Sequence, residues 1–116
     1  MTSGRKLVIF AAALACMGTF VDAARADDTG MASIHSWKKV GRKTCFVDHT
    51  HVGSSSGQKS EKAAVAAAIK DWQEFTAFEY GTDWAYFKNA IGSGKSCSRE
   101  TAGWTCTVEA TPCNRR

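Results

Sequence analysis

Cysteine spacing constrains the fold of this chain more than any other feature of its sequence. Four of the five cysteines follow residue 26, at Cys45, Cys97, Cys106 and Cys113. None of them belongs to a closely spaced C-x2-C pair, which is typical of structural zinc sites. An even number of cysteines in a small exported protein predicts disulfide bonds instead. We therefore expect two disulfides to supplement a modest hydrophobic core.

The N-terminus has the layout of a secretory signal peptide, which leads to the oxidising compartment that disulfides need. A basic start is followed by an apolar run over residues 7–20 and by small residues at Ala24 and Ala26. This run is shorter than the about 20 residues of a membrane-crossing helix. We expect cleavage after Ala26, no transmembrane span, and a periplasmic or secreted protein. Attachment to a lipid through Cys16 competes with this interpretation, but Ala13 stands where the lipoprotein signal usually has leucine.

A helix over residues 60–80, SEKAAVAAAIKDWQEFTAFEY, is the strongest secondary-structure signal, because the run is rich in alanine and free of glycine and proline. Ser60 can accept a hydrogen bond from a free amide at the helix start, and Gly81 suits the turn that ends it. Residues at three- and four-residue steps predict one buried face. Its members are Val65, Ala68, Ile69, Trp72, Phe75 and Glu79.

Strand patterns lie on both sides of this helix. Residues 42–48 favour a strand, and the following GSSSGQ, residues 53–58, is typical of a loop. Residues 83–91 are ambiguous between a helical turn and a strand, and their aromatic side chains favour the strand. Residues 95–99 and 103–113 then complete a meander. In the second of these two segments, apolar and polar side chains alternate cleanly.

The last hairpin indicates which cysteines pair. If the chain turns over residues 100–103, Cys97 lies directly opposite Cys106, close enough for a disulfide. Cys45 and Cys113 then form the second bond and tie the first strand to the C-terminal tail. Three connectivities exist for four cysteines, and the sequence favours this one.

These elements predict an α+β fold with one strand, one main helix and then a three-stranded antiparallel meander, stabilised by disulfides. We expect residues 1–26 to be the signal peptide and residues 27–36 to be a flexible lead-in, because they show no periodicity. Residues 37–116 form a single small α+β domain.

Histidines supply the first candidate site. His49 and His51 point to the same side of an extended strand, so their imidazoles can bind one zinc or copper ion. Such an ion needs further ligands, for which His35 and Glu79 are the candidates. The alternative is a polar strand end whose histidines bond loop backbone. We expect no cofactor, with zinc or copper as the alternative.

Serines between two glycines supply the second candidate site. Gly53 to Gly57 fits the G-x-S-x-G pattern of hydrolases, but that pattern needs a large parallel sheet and a later histidine. No histidine follows His51, so we expect no catalytic residues and no enzyme. Ser54, Ser55 and Ser56 remain candidates for an anion-binding loop near the helix start, with a flexible polar loop as the alternative.

Aromatic and basic residues supply the third candidate site. If the outer face of the meander exposes them, Trp84, Tyr86, Lys88 and Arg99 form a binding surface for a glycan or a protein. Residues 38–43, KKVGRK, are basic and suit nucleic acid, anionic lipid or acidic polysaccharide, although such runs are usually solvated. Because the chain carries an export signal, we expect no nucleic-acid partner.

A family resemblance covers nearly the whole mature chain. The stretches CFVDHTHVGSSSGQ, AAAIKDWQEFTAFEYGTDWAYF and GWTCTVEATPC resemble a group of short exported bacterial proteins that are generally labelled hypothetical. This resemblance implies one domain over these residues and brings no activity, ligand or catalytic residue with it.

Together these features predict a small exported, disulfide-stabilised domain that acts by binding an envelope protein or polymer. The alternative function is a periplasmic zinc- or copper-binding protein that uses the His-x-His motif of His49 and His51.

Overall fold

The computed structural model describes residues 28–115. The predicted signal peptide and Cys16 lie outside the described residues. Among residues 28–115, no helix combines the length and the apolar character needed to cross a membrane.

The fold is α+β, with one main helix and two sheets of three antiparallel strands. The elements in chain order are β1 (Trp37–Val40), β2 (Lys43–Phe46), β3 (His51–Gln58), α1 (Glu61–Tyr80), β4 (Ile91–Glu100), β5 (Gly103–Thr111) and β6 (Cys113–Asn114). One sheet has the order β1-β2-β6 and the other has the order β3-β5-β4. Helix α1 packs on β3 and β5 of the second sheet.

Both predicted ends of helix α1 are confirmed. The Ser60 side chain accepts a hydrogen bond from the backbone N–H of Ala63, which satisfies one free amide of the first turn. Gly81 follows the last helical residue with a φ of 100°, which side-chain-bearing residues rarely adopt.

The buried stripe of α1 differs from the predicted face. The residues in it recur every four positions: Ala64, Ala68, Trp72, Thr76 and Tyr80. Phe75, predicted to be buried, is 49% exposed, whereas polar Thr76 is fully buried. Thr76 tolerates burial because its hydroxyl donates a hydrogen bond to the Trp72 carbonyl within the same helix.

Three strand predictions are corrected. The strand predicted over residues 42–48 is present as the shorter β2, but it forms a hairpin with the unpredicted β1 through a tight turn that uses Gly41 at a φ of 61°. The run GSSSGQ is the body of β3 and not a loop, since it pairs with β5 over residues 53–55 and again at Gln58, with an irregularity between them. Residues 82–91 hold two short 3-10 helices, Thr82–Trp84 and Phe87–Asn89, and only Ile91 begins a strand. Their burial does not alternate, because Trp84 and its neighbour Ala85 are both buried. The predicted three-stranded meander after the helix is therefore wrong, since β3 supplies the third strand of that sheet.

Both predicted disulfides are confirmed. Cys97 pairs with Cys106 across the β4–β5 hairpin, where the two residues are directly opposed. Cys45 pairs with Cys113 and joins β2 to β6. The first bond therefore fixes one sheet, and the second fixes the other.

The lead-in contains a 3-10 helix, Met31–Ile34, that lies against the end of α1. The backbone N–H of Thr29 donates to the Tyr80 carbonyl, and the Thr29 hydroxyl donates to the Glu79 carbonyl. Ala32 is buried in a small cluster with Tyr80. The flexibility predicted for the lead-in stays a prediction, but its contacts bring His35 to the C-terminal end of α1.

Candidate metal centre

All three histidines of the chain meet at the C-terminal end of α1. His35 follows the 3-10 helix of the lead-in, His49 lies just before β3, and His51 begins β3. Glu79, in the last turn of α1, adds a carboxylate. The ligand atoms of His35, His49 and Glu79 lie within 4.8 Å of one another, and all three residues are half-buried. The structure therefore brings together the four residues proposed from the sequence as metal ligands.

Thr76 fixes the tautomer of the buried His51 ring. The Thr76 hydroxyl uses its only proton to donate to the Trp72 carbonyl at 2.7 Å. Its oxygen lies 2.9 Å from Nδ1 of His51 and can therefore only accept there. This arrangement assigns the proton of the neutral ring to Nδ1 of His51 and leaves a lone pair on Nε2.

This lone pair can accept a hydrogen bond from a protonated Nε2 of His49 or bind a cation. Nε2 of His51 lies 3.1 Å from Oε2 of Glu79 and 3.0 Å from Nε2 of His49. Burial lowers the pKa of His51, although the negative charge of Glu79 opposes this effect. A neutral ring protonated on Nδ1 offers no proton to the carboxylate, so the contact is satisfied by a second proton on the ring or by a metal ion bound to both atoms.

The Tyr80 hydroxyl contacts two of the histidines and has one proton to donate. Its hydroxyl lies 2.6 Å from Nε2 of His49 and 3.2 Å from Nε2 of His35. Burial, followed by a hydrogen bond to Glu79, raises the pKa of the Tyr80 phenol, so the hydroxyl keeps its proton. One proton serves only one of the surrounding acceptors at a time, which leaves the others without a donor from Tyr80.

Aromatic rings surround these polar atoms. The His51 ring stacks on Tyr80 with centroids 5.1 Å apart, and Phe46 meets His35 and His49 edge-on. The Phe75 ring lies 4.8 Å from the His51 ring. Such an apolar wall weakens solvent screening and strengthens the attraction of Glu79 for a cation.

Serines 54–56 do not form the predicted loop, because they lie in strand β3. The backbone N–H of Ser54 donates to the Asp71 carboxylate at 2.8 Å. The Ser55 hydroxyl donates to the Ala64 carbonyl of α1 at 2.6 Å. These two hydrogen bonds join β3 to α1. The backbone N–H of Ser54 already binds an anionic group of the chain itself, the Asp71 carboxylate.

The predicted aromatic and basic surface is not contiguous. Trp84 is only 2% exposed and stacks on Phe46 at 4.6 Å, so it belongs to the core. Tyr86 is half-exposed, with the Lys88 ammonium 5.9 Å from its ring centroid. Arg99 lies near the opposite end of β4, about 25 Å along the strand from its start. Tyr86 and Lys88 alone share a surface.

Sequence reasoning missed Thr76 and Tyr80 as members of the site. Thr76 orients His51, and Tyr80 contacts two of the histidines. Both lie on the four-residue stripe that contains Trp72, and Tyr80 follows Glu79 directly. A helix face centred on Trp72 and extended in steps of four would have included them.

Comparisons of the chain with protein-family models, curated proteins and solved structures find no match. The resemblance to short exported bacterial proteins therefore stays a prediction. The function must be inferred from the geometry of the site itself.

Proposed function

We propose that the protein binds a divalent zinc or copper ion through His35, His49, His51 and Glu79. The contact between Nε2 of His51 and the Glu79 carboxylate carries this proposal, because one metal ion can bind both atoms. The alternative of a polar strand end does not account for a third histidine at the same place.

The spacing of the donor atoms supports four ligands. Neighbouring ligand atoms around tetrahedral zinc lie about 3.3 Å apart, given zinc–nitrogen bonds of about 2.0 Å. His51 Nε2 is 3.0 Å from the His49 nitrogen and 3.1 Å from the Glu79 oxygen, close to this value. The ligand atoms of His35, His49 and Glu79 lie within 4.8 Å of one another, so His35 on the lead-in is near enough to join the set.

The chemistry of the donors limits the choice of metal. Imidazole suits zinc and copper, whereas calcium and magnesium prefer oxygen ligands. Cys45, Cys97, Cys106 and Cys113 are all held in disulfides, so no thiolate is present among residues 28–115 to favour a softer ion.

The test is a titration of the oxidised mature protein with zinc and with copper, each in competition with a chromophoric chelator. Glu79→Gln removes a charged ligand and should weaken binding at least about tenfold. Glu74→Gln is the matched control on the same helix, since Glu74 pairs with Lys70 on an exposed face, and it should bind like the parent. Absence of binding by the parent, or equal loss in both variants, would overturn the proposal.

Localisation and mode of action belong to the same proposal. The two disulfides, and the absence of a membrane-spanning helix among residues 28–115, are compatible with an oxidising extracellular compartment. We place the protein in the periplasm or outside the cell. We further propose that it acts by binding and not by catalysis, so its partners are the metal ion and an envelope protein or polymer.

A further inference from the structure

Helix α1 covers β3 and β5 of its sheet and contacts β4 less extensively. A helix with its side chains is about 10 Å wide, which matches two strands spaced about 4.8 Å apart. Because α1 packs on β3 and β5, a groove of about 510 Å³ remains between its first turns and edge strand β4. The groove is lined by Glu61, Lys62, Val65, Ala66, Ile69 and Lys95.

The free edge of β4 presents backbone hydrogen-bonding groups at the groove. Among residues 28–115, β4 pairs with β5 only. The Cα atoms of Cys97 and Cys106 are 4.2 Å apart, which identifies a pair that is not hydrogen-bonded across the ladder. The N–H and C=O of Cys97 therefore point away from β5. By alternation, those of Lys95 and Arg99 do the same.

The side chains of these edge residues lie on the helix side of the sheet. Lys95 lines the groove, and its ammonium lies 3.9 Å from the Glu61 carboxylate in the first turn of α1. A strand added beside Lys95 would direct the side chain opposite it to the same face. That side chain would enter the groove above Val65 and Ile69.

We propose that β4 is a docking edge for an extended peptide segment of a partner protein, which adds a fourth strand to the sheet. The backbone of the segment pairs with Lys95, Cys97 and Arg99. Its helix-side residues alternate between an apolar side chain that fills the groove and an acidic one that meets Lys62 and Lys95. This mode of recognition takes affinity from backbone pairing and specificity from alternate side chains.

Charge decides between a foreign segment and a second copy of this chain. A second β4 would bring its own Lys95 and Arg99 to the face that already carries Lys62 and Lys95, where Glu61 offsets only one of these two charges. Like charges directly opposed across strands are destabilising, and lysine on an edge strand is a common protection against self-pairing. The edge therefore disfavours a homodimer and favours an acidic partner.

The test uses a fluorescent eight-residue peptide with threonine on one face and alternating valine and glutamate on the other. Its anisotropy with the oxidised protein should show saturable binding. A peptide with lysine in place of glutamate should bind at least tenfold more weakly. A peptide N-methylated at the amides that face β4 cannot donate hydrogen bonds to the strand, so it should bind no more tightly than the lysine peptide. Equal binding of all three peptides would overturn the proposal.

Two substitutions of one edge residue separate backbone pairing from charge. Lys95→Ala keeps the outward N–H and should weaken binding only severalfold, while Lys95→Pro removes it and should abolish binding. The β4–β5 ladder does not use this N–H, so proline is compatible with the edge position. If Lys95→Pro lowers stability, the N-methylated peptide still tests backbone pairing, because it is measured with the unaltered protein. Concentration-dependent dimers of the parent that Lys95→Pro abolishes would show that a second copy occupies the edge, and would overturn the proposal.

Discussion

At the scale of single residues, Gly53 determines how closely helix α1 approaches the sheet. A Cβ at this position would lie 2.2 Å from the Ala68 carbonyl oxygen and 2.5 Å from the Trp72 nitrogen. Both atoms belong to the helix backbone, so a side-chain rotation cannot relieve the overlap. The close approach also lets the Trp72 indole N–H reach the His51 carbonyl, beside the proposed metal ligands.

Gly53→Ala should therefore destabilise the fold strongly. We expect a loss of about 3 kcal/mol in the free energy of unfolding, because overpacking against backbone forces the helix outward. Urea unfolding of the oxidised parent and variant measures this loss. Gly94→Ala is the matched control on β4, since a Cβ there meets only the Glu109 side chain at 3.5 Å. Similar losses in the two variants would contradict this account of the helix–sheet contact.

Thr76 gives a second prediction at the same scale. Thr76→Val leaves the Nδ1–H of His51 buried without an acceptor and should cost about 1 to 3 kcal/mol. It should also weaken zinc binding about tenfold, because the imidazole is no longer held in its tautomer. Thr76→Ser keeps the hydroxyl and should preserve zinc affinity. Nitrogen NMR shifts of the His51 ring would report the tautomer, and an unchanged ring in Thr76→Val would refute the assignment.

At the scale of elements, the two ends of α1 could be predicted, but its rotation could not. Capping by Ser60 and termination at Gly81 depend on local backbone chemistry, which the sequence carries. Rotation depends on what the helix packs against. Hydrophobicity alone favoured Phe75 as a core residue, whereas the contact with Gly53 turns the stripe of Trp72 and Thr76 inward.

The strands show the same division between local and long-range causes. Alternation along β5 and the turn at residues 100–103 correctly predicted the hairpin with β4 and the Cys97–Cys106 bond, which left Cys45 and Cys113 as the second pair. The serines of β3 carry little intrinsic preference for a strand, and only their pairing with β5 and closeness to α1 make them one. Short β1 is exposed along its whole length, so no burial pattern marked it as a separate strand.

The two disulfides should differ in how much they stabilise the fold. Their sequence separations are 68 residues for Cys45–Cys113 and 9 residues for Cys97–Cys106. Loop entropy in the unfolded chain then predicts contributions of about 4 and about 2.5 kcal/mol. Replacing each pair with two alanines and unfolding the variants in urea without reductant tests this. A larger loss from the Cys97 and Cys106 double variant would contradict the entropy model here.

At the scale of the whole molecule, the candidate site joins three parts of the chain that are far apart in sequence. His35 comes from the lead-in, His49 and His51 from the start of β3, and Glu79 and Tyr80 from the end of α1. The sequence indicated which residue types bind metal, because imidazole and carboxylate chemistry is local to each residue. It could not show that Tyr80 joins them, since that depends on how the lead-in and β3 meet the helix.

This arrangement makes the lead-in sensitive to the metal ion, because His35 is its only proposed ligand. Without metal, the lead-in is held to α1 by hydrogen bonds from Thr29 and by the burial of Ala32. A ligand that binds the closed state stabilises it by mass action, so the lead-in must open less often when zinc is bound.

Saturating zinc should therefore slow amide hydrogen exchange in residues 28–36 by about tenfold or more, since each opening must break the bond between His35 and the metal. Strand β5, which carries no proposed ligand, serves as the internal reference and should change less. His35→Gln leaves His49, His51 and Glu79 to bind zinc more weakly, and it should lose the protection of the lead-in even when the ion is bound. Protection that persists in His35→Gln would place the ion on the other three ligands alone and remove His35 from the set.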